Sequence, residues 1–192
     1  MSKKRISIFA SGSGSNAEKF FEYFQNDPEI EITSIFTNNK SAGVIERANR
    51  FDIPHHVYNR TYWKTGESIL GILEKEQIEF IVLAGFMLLI PDSLVKAYPD
   101  RIFNIHPALL PKFGGQGMYG MNVHKAVKAA EESESGITIH FVNENYDEGQ
   151  IIAQASCAID SSDSAEEIAK KVLRLEHENY PKVVAEVIRK SI

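Results

Sequence analysis

The chain has 192 residues, 43% of them hydrophobic and 24% charged, with a formal net charge of -5. This is the composition of one globular domain with a large core. It excludes a disordered chain, and with no Lys/Arg-dense block it argues against nucleic acid as a partner. No stretch approaches the roughly 20 apolar residues of a membrane span, and the charged start MSKKRISIFA has no apolar signal core after it, so a soluble cytoplasmic protein without a membrane partner is expected.

The elements alternate from the start. Residues 5–10 (RISIFA) read as a buried strand, and Ala17, Phe20, Phe21 and Phe24 then form a helical stripe. Residues 30–37 predict a second strand. Val44, Ile45, Ala48 and Phe51 predict a second helix, stopped by Pro54. A short strand at 55–58, a helix marked by Ile69, Leu70 and Leu73, and the continuously apolar strand 80–84 (FIVLA) follow. Next come a short helix at 91–98 and a strand at 101–105. After Lys125 the alternation ends: 137–142 and 151–159 predict an antiparallel strand pair, and 165–188 a long helix bent near Pro181. The expected fold is α/β: an open, mostly parallel, Rossmann-like sheet with helices on both faces and an antiparallel C-terminal strand pair. One domain over 1–192 is expected, with no interdomain linker. Cys157, the single cysteine, lies in the run IIAQASCAI; it excludes an intramolecular disulfide and a Cys-based zinc site and reads as a buried inert thiol.

Two stretches carry chemistry. The first strand runs into Ser11-Gly12-Ser13-Gly14-Ser15-Asn16 before a helix. Glycines bring backbone N–H groups close to a ligand, and a helix start favours an anion. The turn lacks the Walker Lys and the third glycine of G-x-G-x-x-G, so it is either a phosphate cradle or a tight Ser-capped strand–helix turn. The second stretch is Asn104-Ile105-His106-Pro107 at a strand end, where ligands of open α/β sheets bind. Two residues apart on a strand, Asn104 and His106 share a face and can both donate to one developing oxyanion. Asp147, in the loop 143–150, would favour the charged imidazole and orient the ring if it reaches His106. A structural histidine and a plain hairpin turn at 147–149 are the alternatives.

The combination SGSGSN at 11–16, LAGFM at 83–87, NIHPALLP at 104–111, YDEGQII at 146–152 and LEHENYP at 175–181 resembles the phosphoribosylglycinamide formyltransferase family of de novo purine synthesis, over essentially the whole chain and in order. The resemblance implies transfer of the formyl group of 10-formyltetrahydrofolate, a co-substrate, to the amine of phosphoribosylglycinamide without a metal. It implies that Asn104 and His106 stabilise the oxyanion, that His106 donates a proton and that Asp147 assists it. Gly14, Ser15 and Asn16 would hold the phosphate and Glu176 the ribose hydroxyls. Met87, Leu88, Leu89 and Ile90, with Asn143, Glu144, Asn145, Tyr146 and Asp147, would line the pterin pocket, largely through backbone groups, beside Asn104. Residues 1–100 would form the phosphoribosyl half and 101–192 the catalytic and folate half.

The chain also departs from the family. Where an Arg often follows LAGFM, this chain has Met87-Leu88-Leu89-Ile90, and the basic residue expected before the third helix has two candidates, Arg60 and Lys64. The stretch 112–123 (KFGGQGMYGMNV) is longer than the family's loop, and its glycines predict a mobile lid over 113–121; His124 then matches the loop histidine, as a core, capping or substrate-contacting residue. His55, His56, His140 and His177 lack metal-ligand spacing. Formyltransferases acting on methionyl-tRNA or nucleotide sugars carry an extra C-terminal domain, for which 192 residues are expected to leave no room, and formyltetrahydrofolate hydrolase carries an N-terminal regulatory domain, whereas here the first strand is expected to begin near residue 5. A non-catalytic nucleotide- or folate-binding module would not need the Asn/His/Asp set. Monomer and homodimer are both compatible with the sequence.

Overall fold

The computed structural model describes residues 3–191, apart from the side chain of Arg60. The elements are β1 (Lys4–Phe9), α1 (Ser15–Phe24), β2 (Ile30–Thr37), α2 (Gly43–Arg50), β3 (His55–Val57), α3 (Arg60–Trp63), α4 (Glu67–Lys75), β4 (Phe80–Leu83), α5 (Asp92–Ala97), β5 (Ile102–His106), α6 (Met121–Ala129), β6 (Glu134–Phe141), β7 (Ile151–Ala158) and α7 (Ala165–Lys190). They form one seven-stranded sheet in the order β3-β2-β1-β4-β5-β6-β7, with helices around it. β1 pairs parallel with β2 and β4, β2 pairs parallel with β3, and β6 and β7 pair antiparallel. The order reverses between β1 and β4, so the turns after these two strands lie at the switch point where α/β sheets take their ligands. Among the described residues no helix is long and apolar enough to cross a membrane.

The chain packs as two compact units. One runs through Phe103 and takes in the residues from Ala185 onward; the other is Asn104–Val184. In the first, Ile6, Ile8 and Phe9 of β1 are fully buried with Phe20 and Phe21 of α1. The ring of Phe9 lies 5.0 Å from Phe36, 5.2 Å from Trp63 and 5.7 Å from Phe86, and Trp63 lies 4.5 Å from Phe86. Each such side chain contributes about 1.5–3 kcal/mol by leaving water. This cluster supports the ends of β1 and β4.

The helices differ from expectation in two places, α3 and the end of α2. α3 has too short a period to be read from the sequence; its Asn59 cap accepts the Thr61 N–H, and buried Trp63 donates to the Tyr58 carbonyl at 3.0 Å. α2 stops at Arg50, before Pro54, because Asp52 takes a left-handed φ of 55°. α7 spans Ala165–Lys190 with Pro181 inside it. One lost backbone bond is offset by the buried stripe Ile168, Val172, Tyr180, Val184 and Ile188.

In the second unit, the segment after β5 is pinned to the hairpin. The Thr138 hydroxyl donates to the Ala108 carbonyl at 2.7 Å and accepts the Leu110 N–H at 2.9 Å, and Gln154 donates to the Leu110 carbonyl at 3.0 Å. Cys157 is half-buried, less buried than expected, and burial pushes its thiol up.

Gly71 sits exposed inside α4, and a Cβ there meets nothing within 4 Å. Gly71→Ala is therefore expected to stabilise the protein by about 0.5–1 kcal/mol in urea unfolding, because it removes chain entropy from the unfolded state at no steric cost. A lower unfolding midpoint would show that the helix needs a bare position there.

Candidate active site

The sequence-selected catalytic residues meet within the second unit. β5 continues through His106, one residue beyond the expected strand end, so Asn104 and His106 both project from regular strand. His106 is buried. Its Nδ1 lies 3.5 Å from Oδ2 of Asp147, and its Nε2 lies 2.8 Å from the Phe113 carbonyl. A carbonyl only accepts, so Nε2 donates to it. Each ring nitrogen thus faces an acceptor oxygen. Asp147 takes a left-handed φ of 56°, a conformation that Asp tolerates, and its Oδ2 also accepts the Gly115 N–H at 2.9 Å.

His140 completes the group, and its sequence position gave no sign of this beyond its place on an apolar strand. Nδ1 of His140 donates to the Phe141 carbonyl at 2.8 Å. Burial lowers the affinity of the ring for a second proton, outweighing that carbonyl and Asp147, which both act the other way. Nε2 therefore carries a lone pair and accepts from Nδ2 of Asn104 at 3.1 Å. The 3.7 Å separation between Nε2 of His140 and Oδ1 of Asp147 is an ion pair only if the ring is charged, and burial opposes that. The consequence is orientational: one N–H of the Asn104 amide is engaged by His140, which fixes the amide plane.

The hairpin loop is both a turn and part of the site. Asn143 accepts the Asn145 N–H at 3.0 Å, and Phe141 N–H donates to the Gln150 carbonyl at 2.9 Å. Glu144 and Tyr146 are exposed. The expected lid is pinned at its base, since Phe113 and Gly115 are the residues bonded to His106 and Asp147. Past them, Gln116, Gly117, Tyr119, Gly120 and Met121 are exposed. The pair Gly114-Gly115 was the readable signal. A Cβ on Gly114 would come within 2.5 Å of a Leu110 methyl, and Gly115 has φ 94°.

The 11–16 turn lies in the first unit with the segment after β4. Ser11 N–H donates to the Gly85 carbonyl at 3.1 Å, and the Ser11 hydroxyl accepts the Met87 N–H at 2.9 Å. Gly14 is left-handed, with φ 77° and ψ 22°, and its carbonyl accepts the Glu18 N–H at 2.9 Å to start α1. Ser15 and Asn16 open that helix. Of Met87–Ile90, Met87 and Leu89 are exposed and Ile90 is buried. Glu176 is buried on α7, one turn before the fully buried Tyr180. Lys64 caps α3; the side chain of the other basic candidate, Arg60, lies outside the described residues. His56 is structural, bonded to Glu76 at 2.7 Å. Among the described residues, no three His, Cys, Asp or Glu side chains gather as metal ligands do.

His124 is the second histidine held neutral by burial, with His106 adding to the effect, and its Nδ1 has no hydrogen-bond partner. Both His124 and His140 take up a proton less readily folded than unfolded. Stability is then complete above the unfolded value of 6.5 and is lost as pH falls from there through the lower native values. The melting temperature is expected to drop as pH falls below about 6.5, with a shallower drop in His124→Gln than in wild type. Identical slopes would show that burial of His124 does not drive the loss.

The Formyl transferase family profile matches residues 4–184. The chain is 41% identical over 99% of its length to the chloroplastic phosphoribosylglycinamide formyltransferase of Arabidopsis thaliana, spanning 67% of that protein. It is 36% identical to the phosphoribosylglycinamide formyltransferase of Bacillus subtilis (strain 168), covering 96% of this chain and 95% of the relative. The crystal structure of the phosphoribosylglycinamide formyltransferase from Anaplasma phagocytophilum superposes with a TM-score of 0.90 at 32% identity, over 98% of this chain and 89% of that one. With the Asn104, His106 and Asp147 geometry carried on a matching fold, the chain belongs to the formyl transferase family, in its phosphoribosylglycinamide formyltransferase branch.

Proposed function

We propose that the protein transfers the formyl group of 10-formyltetrahydrofolate to the amine of 5-phosphoribosylglycinamide, giving the formylglycinamide ribonucleotide and tetrahydrofolate for purine synthesis. The observation that carries this reading is the convergence of Asn104, His106, Asp147 and His140. The substrate amine adds to the formyl carbon and the oxygen becomes negative. The second N–H of Asn104 and the Nε2–H of His106 stabilise that oxygen. The bond from the formyl carbon to N10 then breaks. His106 supplies the proton that N10 takes up, and the proton lost by the amine restores it, so acid and base balance. Asp147 orients His106, and His140 fixes the Asn104 amide. For His106 to serve, the Phe113 carbonyl must leave Nε2 when substrates bind.

Gly14, Ser15 and Asn16 are assigned to the phosphate and Glu176 to the ribose hydroxyls. Met87–Ile90 and the 143–147 loop are assigned to the pterin ring through backbone groups and apolar surface. No metal takes part in this scheme. The enzyme would work in solution in the cytoplasm, as a monomer or homodimer, without nucleic acid or membrane. Incubation with both substrates tests the function: formation of formylglycinamide ribonucleotide and tetrahydrofolate in equal amounts supports it. Formate release without transfer would indicate a hydrolase, and binding without turnover a non-catalytic module.

A further inference from the structure

We propose that Arg47 is a positioning residue for the phosphate end of the substrate, one that holds the 11–16 turn in its anion-binding conformation without touching the ligand. The inference rests on the reading of that turn as the phosphate cradle. In a planar trans peptide the carbonyl and the following N–H point in opposite directions. Two carbonyls of the turn are bonded to α2: Gly12 accepts the Val44 N–H at 3.2 Å, and Ser13 accepts Nε of Arg47 at 2.8 Å. Each bond sends the next N–H, of Ser13 and of Gly14, away from α2. A third carbonyl, that of Gly14, is used within α1. The negative ends of these peptides are thereby withdrawn and the positive ends presented, which is what a backbone anion site requires.

The guanidinium is itself held. Nη1 of Arg47 pairs with Glu18 on the first turn of α1, and Nη2 of Arg50 takes the other Glu18 oxygen at 2.7 Å. The Arg47 and Glu18 side chains are only 28% and 17% exposed. A carboxylate beside a phosphate cradle would repel the ligand, and the two arginines cancel it. Close packing enforces the arrangement. A Cβ on Gly43 would lie 3.1 Å from the Ser13 carbonyl, and one on Gly14 would lie 2.6 Å from Cβ of Val44. One planar fork thus ties together the turn, α1 and α2. A lysine, with a single point charge, cannot span the Ser13 carbonyl and Glu18 in the same way.

The test compares Arg47→Lys with Arg47→Met in the full-length enzyme. Both are expected to raise KM for 5-phosphoribosylglycinamide about 10-fold or more, the usual scale for a lost hydrogen bond of a charged group. The value of kcat should stay within about threefold, and folate affinity by calorimetry should stay unchanged, since the cradle binds before chemistry. Recovery of wild-type KM in Arg47→Lys would show that only charge matters, and unchanged KM in both would show that the carbonyl needs no holding; either overturns the proposal. Glu18→Gln keeps Arg47 but removes its anchor and should give a smaller rise in KM. If the Arg47 variants melt early, an unchanged KM in Glu18→Gln overturns the proposal on its own. Gly14→Ala separates the two ideas. If it binds the ribonucleotide as tightly as wild type, the cradle reading fails and the inference with it. If it loses binding while the Arg47 variants do not, only the role of Arg47 fails.

Discussion

His106→Ala and Asn104→Ala are each expected to lower turnover about 100- to 1,000-fold, the range found for removing one oxyanion donor and equal to about 2.7–4 kcal/mol of transition-state stabilisation. The two side chains sit two residues apart on β5, and each is aimed by a partner outside the strand, Asp147 for His106 and His140 for Asn104. The loss should fall on kcat, with KM for the ribonucleotide within a few-fold of wild type, because the phosphate assignment lies on another turn. A double variant should cost less than the product of the single losses, since the two groups share one oxygen. Steady-state kinetics on variants that melt near the wild-type temperature decides the matter. Near-normal turnover in either single variant would remove that residue from the mechanism.

Gly149→Ala should give the largest loss of stability. A Cβ at this position would lie 1.7 Å from the Phe141 carbonyl oxygen, a backbone atom that cannot rotate aside. The loop must open, and the bond from Phe141 N–H to the Gln150 carbonyl goes with it. A cost of about 2–4 kcal/mol is expected, which corresponds to roughly 5–15 °C in melting temperature for a chain of this size. Activity should fall as well, because Asp147 is two residues away and its left-handed backbone depends on the same turn. Thermal denaturation together with turnover tests both halves. A variant that melts normally and turns over normally would mean that the loop accommodates the methyl group without moving Asp147.

Several parts of the molecule were readable from the residues because they depend on local order. The stripe Ala17, Phe20, Phe21 and Phe24 sits fully on α1, and the run at 30–37 coincides with β2, since burial on one face or on both leaves its period in the chain. The same holds for the α/β class and for Asn104 and His106, whose spacing of two on a strand places them on one face. α3 escaped because four residues make a single turn, stabilised by the Asn59 cap and by the burial of Trp63 against distant aromatics. The role of His140 escaped for a related reason: its partners Asn104 and Asp147 are local to nothing in its own strand.

By itself, then, the sequence determined the alternation of elements, the placement of Asn104 and His106 on one face of a strand and, through its motifs, the family. Tertiary structure alone decided that Asp147 comes within 3.5 Å of His106, that His140 holds the Asn104 amide, and that the base of the glycine-rich loop is bonded to the same group. It also decided that Arg47, an ordinary helix charge in one dimension, holds back a carbonyl of a turn 34 residues away. The physical reason is common to all four. Periodicity records which face of an element is buried, but a hydrogen bond depends on ångström distances and donor directions between elements far apart in the chain, and those exist only once the sheet and its loops have packed.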